Sequence, residues 1–224
     1  VLASDLETTI SSKFEIEAKE DGAIAVPAKF LMDALKTFSE QPLTFSVNME
    51  NFGIEISSDN GKFKLSGQNK DEFPNTPLLE SPSTMTISSD TLSRAITKTI
   101  FATGNDDLRP VMSGVFFQLE KDSVTFAATD AHKLVRYKSV ASKVDSAASF
   151  IVPKKPLNLL KNLVGNTSDD VTMEYSESNV HFKFDDFNVV CRLSDGKYPH
   201  YAAVIPTTTS NRLTVERKLL LNTM

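Results

Sequence analysis

The sequence predicts an α+β protein in which one domain is duplicated. Short motifs recur about 125 positions apart along the 224 residues. Most of the chain consists of brief runs in which apolar and polar residues alternate, and three longer runs have helical periodicity. Alternation is typical of half-buried strands, and a period near 3.6 residues is typical of amphipathic helices. The distance between repeats is long enough for each copy to bury a core of its own.

The duplication depends on three pairs of motifs. These are residues 25–27 (AVP) with 151–153 (IVP), Phe73-Pro74 with Tyr198-Pro199, and Ser4-Asp5 with Thr129-Asp130. The first pair is 126 positions apart and the other two are 125 apart. A weaker match at an offset of 128 relates the segment from Met85 to the segment from Leu213. Duplicated domains joined head to tail can close into a ring when the rotation per unit divides the circle.

The motif order predicts that the chain is a fragment. We expect the tail of one copy, a complete second copy and the first residues of a third. The first residue is Val1 instead of an initiator Met, which agrees with this expectation.

Composition excludes several classes of function. The longest apolar runs fall far short of the roughly 20 residues of a membrane span, so we expect no membrane role. The single Cys191 cannot form an intrachain disulfide, which favours the reducing cytoplasm. The three His residues are scattered, so we expect neither a metal site nor a cofactor. A net charge of −5 argues against a protein that coats nucleic acid, but it allows a basic surface on one face.

Strand patterns occur in both copies. We expect strands at 62–66, 115–119, 123–127, 171–175 and 180–184. Turn-forming residues separate them, at Asp59-Asn60-Gly61, Asp185-Asp186 and Asp195-Gly196. Several hairpins per unit follow from this spacing.

Three amphipathic helices are predicted. The first covers 27–38, with Pro27 at its start and an apolar stripe of Phe30, Leu31, Ala34, Leu35 and Phe38. The second covers about 89–101 and is capped by Ser88 or Ser89. The third covers about 155–164, with Gly165 at the position of a C-terminal cap.

Basic side chains lie on the outer faces of these helices, where we expect acids to be nearly absent. For a single helix, a basic outer face is explained equally well by exposure to solvent and by a functional surface. Three of them in a chain with more acids than bases favour a functional surface. If the repeats form an arc, equivalent helices line the same side of it. That side would bind nucleic acid through its phosphates without reading bases.

The sequence resembles a known family, the bacterial sliding clamp, which is the β subunit of DNA polymerase III. The similar segments occur in the family's order: AVPAKFLMDAL, KDEFPN, LRPVMSGVFFQL, AATDAHKLVRY, IVPKKPLNLLKNL and RLSDGKYPHYAAVIP. ATD-x-H-[RK]-L, followed about 65 residues later by DG-[RK]-[FY]-P-x-Y, is a specific combination. The resemblance covers essentially the whole chain.

The resemblance implies a DNA-clamp fold of three repeated domains, each with antiparallel sheets and two helices. Two chains of the family form a homodimeric ring around duplex DNA. By this order, residues 1–82 are an N-terminally truncated first domain, 83–206 a complete middle domain and 207–224 a truncated start of the third. The implied function is non-catalytic. The ring would tether the replicative polymerase and confer processivity.

The resemblance also implies partners and two sites. The partners are double-stranded DNA, the DNA polymerase III catalytic subunit, the clamp loader and other proteins with a clamp-binding motif. The DNA channel would be lined by Lys29, Lys36, Arg94, Lys98, Lys154, Lys155 and Lys161. A hydrophobic cleft for partner peptides would be formed by Met112, Thr129, Ala131, His132, Lys133, Leu134, Pro199 and Val204. The family usually has Gly at the position of Ala131 and often a basic residue at that of Ala203. On the first domain, we expect the subunit interface near Phe63 and Leu65, on a free sheet edge.

Two alternatives stay open at this point. Asp130 and His132, two residues apart, could be an acid–base pair of an enzyme, although no nucleophile is signalled by spacing. The paired acids at 106–107, 169–170 and 185–186 fit turns better than metal ligands. A structural or adhesive β-rich repeat protein is the second alternative, and the basic helix faces argue against it.

Overall fold

The computed structural model describes residues 1–59, 61–106, 108–140, 144 and 146–223. The first unit contains β1 (Leu2–Ser4), β2 (Thr8–Ser12), α1 (Ala28–Leu35), β3 (Thr44–Asn48), β4 (Gly53–Ser58) and β5 (Gly61–Ser66). The second unit begins with β6 (Ser83–Ser88), α2 (Ser89–Thr99), β7 (Gly114–Glu120), β8 (Ser123–Thr129) and β9 (Leu134–Ser139). It continues with β10 (Ala148–Pro153), α3 (Lys154–Val164), β11 (Asp170–Tyr175), β12 (Asn179–Phe184) and β13 (Phe187–Arg192), and α4 (Arg217–Thr223) follows.

The repeat is visible in the order of elements. The series β8, β9, α3, β11, β12, β13 has the same order and pairing as β1, β2, α1, β3, β4, β5. Helix α4 begins 128 positions after α2, at the offset of the weakest sequence match. The boundaries at 82 and 206 stay predictions.

Sheets join the two units edge to edge. Strands β7–β10 form a four-stranded sheet in the order β10-β7-β8-β9. The second sheet has six strands in the order β1-β2-β13-β12-β11-β6, so β2 of the first unit pairs with β13 of the second. The remaining strands, β3-β4-β5, form a three-stranded sheet. A continuous hydrogen-bonded sheet therefore crosses the boundary between the units.

The main core lies between the helices and sheets of the second unit. Leu92 and Ile96 of α2 and Leu157 of α3 are fully buried there. Phe117 and Phe126 pack edge to face against each other, with ring centroids 4.7 Å apart. In the first unit, by contrast, the buried core consists of Ala34, Ile54 and Ile56, with partly buried residues around them.

The predicted strands are confirmed, and the helices differ at their ends. Helix α1 stops at Leu35, and Phe30, which we expected in the apolar stripe, is 62% exposed. The prediction for Phe30 is wrong because the face of α1 that packs inward is narrower than the predicted apolar stripe. That face centres on Ala34, with Leu31 and Phe38 beside it. Helix α2 ends at Thr99, and residues 100–102 form a 3₁₀ turn.

The caps follow the sequence in part. The Ser88 hydroxyl accepts a hydrogen bond from the Thr91 N–H (3.3 Å), which makes Ser88 the N-cap of α2. Gly165 ends α3 with a φ of −69°, so it is not a left-handed cap. Two residues of the predicted turns lie outside the described residues. They are Asn60, of the turn at 59–61, and Asp107, of the acid pair at 106–107. Within the described part of the chain, no helix is long and apolar enough to cross a membrane.

Candidate functional site

The β8–β9 turn holds five of the eight residues predicted for the partner cleft. Thr129 donates its hydroxyl to the Lys133 carbonyl (2.7 Å) and accepts the Ala131 N–H (3.1 Å). One carboxylate oxygen of Asp130 accepts the N–H groups of His132 (3.0 Å) and Lys133 (2.9 Å). The other oxygen pairs with the Lys133 ammonium. The hydrogen bond from Lys133 and these N–H groups hold the pKa of Asp130 well below its usual range.

This turn has a strained backbone. Ala131 has a φ of 75°, a left-handed conformation that glycine adopts freely and that costs other L-residues about 1–2 kcal/mol. The departure from the family pattern at this residue therefore has a local energetic cost. The turn is nevertheless fixed by the four hydrogen bonds around Thr129 and Asp130.

Met112 lies close to the turn, with Gly104 between them. The Gly104 N–H donates to the Met112 carbonyl (2.8 Å). A Cβ on Gly104 would lie 3.7 Å from the Met112 Cβ and 3.8 Å from the Asp130 Cα. Met112 ends a 3₁₀ turn, Pro110–Met112, and is half-buried. The structure thus brings Met112 and the β8–β9 turn together.

The segment after β13 brings Pro199 to the same sheet. Tyr198 stacks on Phe116 of β7, with ring centroids 4.7 Å apart and an interplanar angle of 6°. Burial raises the pKa of Tyr198 to about 12. Tyr198 therefore anchors the segment that contains Pro199 against β7. Val204, at the end of the 3₁₀ turn Tyr201–Val204, is 71% exposed and is not packed into an apolar wall.

The sequence did not predict a groove on the outer face of the β7–β9 sheet. It has a volume of about 1010 Å³, and Pro199 is its one member from the predicted cleft. Its other lining residues include Phe116, Arg136, Tyr198 and Tyr201. The Tyr201 hydroxyl donates to the Gln118 side-chain oxygen (2.7 Å). The two tyrosines of the DGKYPHY motif, Tyr198 and Tyr201, could have indicated this groove, because both rings pack against Phe116.

The seven predicted channel residues differ in their contacts. Two form ion pairs: Arg94 with Asp90 on α2 (2.7 Å), and Lys155 with Asp5 in the β1–β2 turn (2.5 Å). The Lys154 ammonium donates to the Asn105 side-chain oxygen (3.2 Å). Lys29, Lys36, Lys98 and Lys161 form no ion pair with a described residue. The expectation that acids are nearly absent from the basic faces is wrong for α2, because Asp90 lies one turn before Arg94.

The geometry does not support the enzyme alternative. Asp130 and His132 lie in a tight turn instead of an extended segment, and Asp130 accepts the backbone N–H of His132. Both oxygens of Asp130 already have partners. Among the described residues, no group of three or more His, Cys, Asp or Glu could hold a metal ion.

The edge-joined repeat defines a class of protein, the multidomain clamp fold. The structure aligns with a solved DNA polymerase III beta subunit from Thermotoga maritima (TM-score 0.82, 26% identity), covering 92% of this chain and 56% of that chain. A sliding clamp from Bartonella birtlesii bound to griselimycin aligns with a TM-score of 0.84 at 27% identity, with coverage of 92% and 56%.

Sequence comparisons identify the family. The family model of the DNA polymerase III beta subunit central domain matches residues 86–200, and that of the N-terminal domain matches residues 1–77. The chain therefore belongs to the DNA polymerase III beta subunit family. The beta sliding clamp of Synechococcus elongatus is 30% identical over 225 residues, or 98% of this chain and 59% of the relative. That of Halalkalibacterium halodurans is 30% identical over 212 residues, or 93% and 56%. The chain thus spans a little over half the length of these relatives.

Proposed function

We propose that this chain is the first and middle part of a sliding clamp, a non-catalytic ring that encircles duplex DNA and tethers the replicative polymerase. The observation that carries the proposal is the joint between β2 and β13. It pairs five residues of each strand, from Phe187 opposite Ser12 to Cys191 opposite Thr8. A repeat that joins its copies edge to edge builds an arc, and an arc of equal steps can close.

Both ends of the arc have free edges for further joints. Strand β5 is the counterpart of β13, and β9 is the counterpart of β2. Both are the last strands of their sheets within the described chain. The proposed homodimeric ring uses β5, with Phe63 and Leu65, as the first-domain side of the subunit interface. It uses β9 to continue into a third domain that begins near residue 207.

The channel face would attract DNA weakly. Four of its cations have no ion-pair partner among the described residues: Lys29, Lys36, Lys98 and Lys161. They are flexible point charges that can contact phosphates without fixing the register of the duplex. Arg94 and Lys155 are held by carboxylates and contribute less net charge. Mobile contacts of this kind allow the ring to slide.

The partner cleft would take short linear motifs of the polymerase, the clamp loader and other cytoplasmic replication proteins. Met112 and Leu134 are half-buried apolar side chains close to the β8–β9 turn. Met adapts its shape to different ligands. An extended peptide held by a few apolar anchors typically binds at micromolar strength, on the order of −8 kcal/mol. Val204 is exposed and would be covered by the peptide or by the third domain.

Charge reversal tests the channel. In a protein that carries this chain together with its third domain, Lys98→Glu with Lys161→Glu should shorten retention on closed circular DNA. Lys121→Glu, on the β7–β8 turn, is a control outside the assigned channel and should leave retention unchanged. Equal losses in both variants would contradict the assigned channel.

A further inference from the structure

The groove on the outer face of the β7–β9 sheet continues the predicted partner cleft along β9. Leu134 belongs to the cleft, and Arg136 and Lys138 line the groove. The residues between them on β9 pack against the main core. Alternate residues of a strand share one face of the sheet, so these three form a row with steps of about 7 Å. The cleft and the groove therefore lie end to end on one surface, and Pro199 belongs to both.

The groove carries an excess of positive charge. Arg136 and Lys197 are exposed, and neither forms an ion pair with a described residue. The lining acid, Glu120, lies 3.7 Å from the Lys138 ammonium, and its carboxylate accepts two further hydrogen bonds from neighbouring side chains. The carboxylate in the groove is thus already satisfied, whereas two cations are not. This is a local reversal of sign in a chain with a net charge of −5.

The aromatic residues of the groove pack on each other and leave no free ring face at Tyr198. Its side chain is 6% exposed, with its ring stacked on Phe116. Tyr201 meets Phe116 at a steep angle, with ring centroids 6.2 Å apart, and its hydroxyl donates to the Gln118 side-chain oxygen. Sites for single-stranded nucleic acid present open rings on which bases stack. The groove therefore favours the carboxylates of a peptide over a nucleic acid.

We propose that the groove binds acidic residues that flank the clamp-binding motif of a partner protein. This inference rests on the proposed partner cleft. An extended peptide advances about 3.3 Å per residue, so side chains two and four residues beyond the one at Leu134 reach Arg136 and Lys138. Carboxylates there would form ion pairs, and Lys197 lines the same groove. The charge of the flanking segment would then rank partners that share the same motif.

A third domain joined at β9 would leave this row of side chains on the surface. Edge-to-edge joining uses backbone N–H and C=O groups in the plane of the sheet, whereas side chains stand roughly perpendicular to it. The groove is therefore expected to stay open in the complete protein.

Peptide binding to a protein that carries this chain and its third domain tests the inference. The probes are two fluorescent peptides with the clamp-binding motif of the DNA polymerase III catalytic subunit, one extended at both ends by three Glu residues and the other by three Gln residues. At low salt, we expect the Glu-extended peptide to bind about fivefold more tightly, the scale of two exposed ion pairs. Arg136→Gln with Lys197→Gln should remove this difference and leave the affinity for the Gln-extended peptide unchanged. Lys13→Gln with Lys70→Gln removes two exposed positive charges outside the groove, and this matched control should keep the difference.

Equal affinities of the two peptides for the unmodified protein would overturn the inference. So would a difference that persists in the variant with Arg136→Gln and Lys197→Gln. If that variant lost binding of a ten-residue oligothymidylate with no change for the Glu-extended peptide, the groove would be a nucleic-acid site, which also overturns the inference. Failure of the proposed cleft is distinguishable, because then neither peptide would bind, whereas failure of the inference alone leaves the Gln-extended peptide bound.

Discussion

At the residue scale, the left-handed Ala131 in the β8–β9 turn gives the simplest prediction. Ala131→Gly should raise the free energy of unfolding by about 0.5–1 kcal/mol, because relief of about 1–2 kcal/mol of strain is partly offset by the greater freedom of Gly in the unfolded chain. Urea denaturation measures the change. Ala203→Gly, in the 3₁₀ turn Tyr201–Val204, is the control and should not stabilise the protein.

His181 gives a prediction of pH dependence. Its side chain is 8% exposed, and burial lowers its pKa, although Glu174 acts in the opposite direction. The unfolded chain therefore binds a proton at a higher pH than the folded one, so stability is lost as the pH falls below the ordinary His value of about 6.5. His181→Gln should flatten the dependence of unfolding free energy on pH between about 7.5 and 5. An unchanged slope would contradict the assignment, and His200→Gln, at an exposed position, should keep the slope.

At the element scale, the pairing of β7 with β10 depends on Gly114. A Cβ at this position would lie 2.5 Å from the Val152 carbonyl oxygen, a backbone atom that cannot move aside alone. Gly114→Ala should lower the free energy of unfolding by about 2–4 kcal/mol, in the range of overpacking and backbone strain. Gly22→Ala is the matched control, since a Cβ there would have no atom within 4 Å, and it should be neutral or slightly stabilising.

The cleft assignment is also tested at this scale. Met112→Ala with Leu134→Ala, in a protein carrying the third domain, should abolish binding of a clamp-binding peptide, because the apolar anchors lose their contacts. Fluorescence anisotropy of a labelled peptide measures the loss, and retention on DNA should survive as the control for folding. Unchanged peptide affinity would remove these residues from the cleft.

Local elements could be predicted from the sequence because their signals are local. The strands around 115–127 and 171–184 and the start of α2 at Ser88 follow from periodicity and a capping residue. The pairing of β2 with β13 could not be predicted in this way, because it joins opposite ends of the chain. Its only signal was the repeat itself.

The candidate site was predictable to a similar degree. The turn from Thr129 to Leu134 is contiguous, so the motif places five residues of the proposed cleft together. The approach of Met112 to the turn, through the segment at Gly104, is a contact between distant parts of the sequence and carried no signal in it. The ion pairs of Arg94 and Lys155 depend on side-chain placement within and between elements, which periodicity alone does not reveal.

At the scale of the whole molecule, the two units form part of an arc with a continuous sheet and free edges at β5 and β9. The Lys155–Asp5 ion pair links α3 to the β1–β2 turn across the boundary between the units. Lys29 occupies the position of Lys155 in the first unit, 126 positions earlier. In the proposed ring, Lys29 would therefore face the counterpart of the β1–β2 turn at the joint with the adjoining subunit.

The central claim is that the complete protein encircles DNA. The most direct measurement loads the protein carrying this chain and its third domain onto nicked circular plasmid, washes in high salt and compares retention before and after one cut. High salt screens phosphate contacts, so only topology retains the protein. The account predicts retention on the circle and loss from the linear form. Equal loss from both, after loading has been verified, would contradict it.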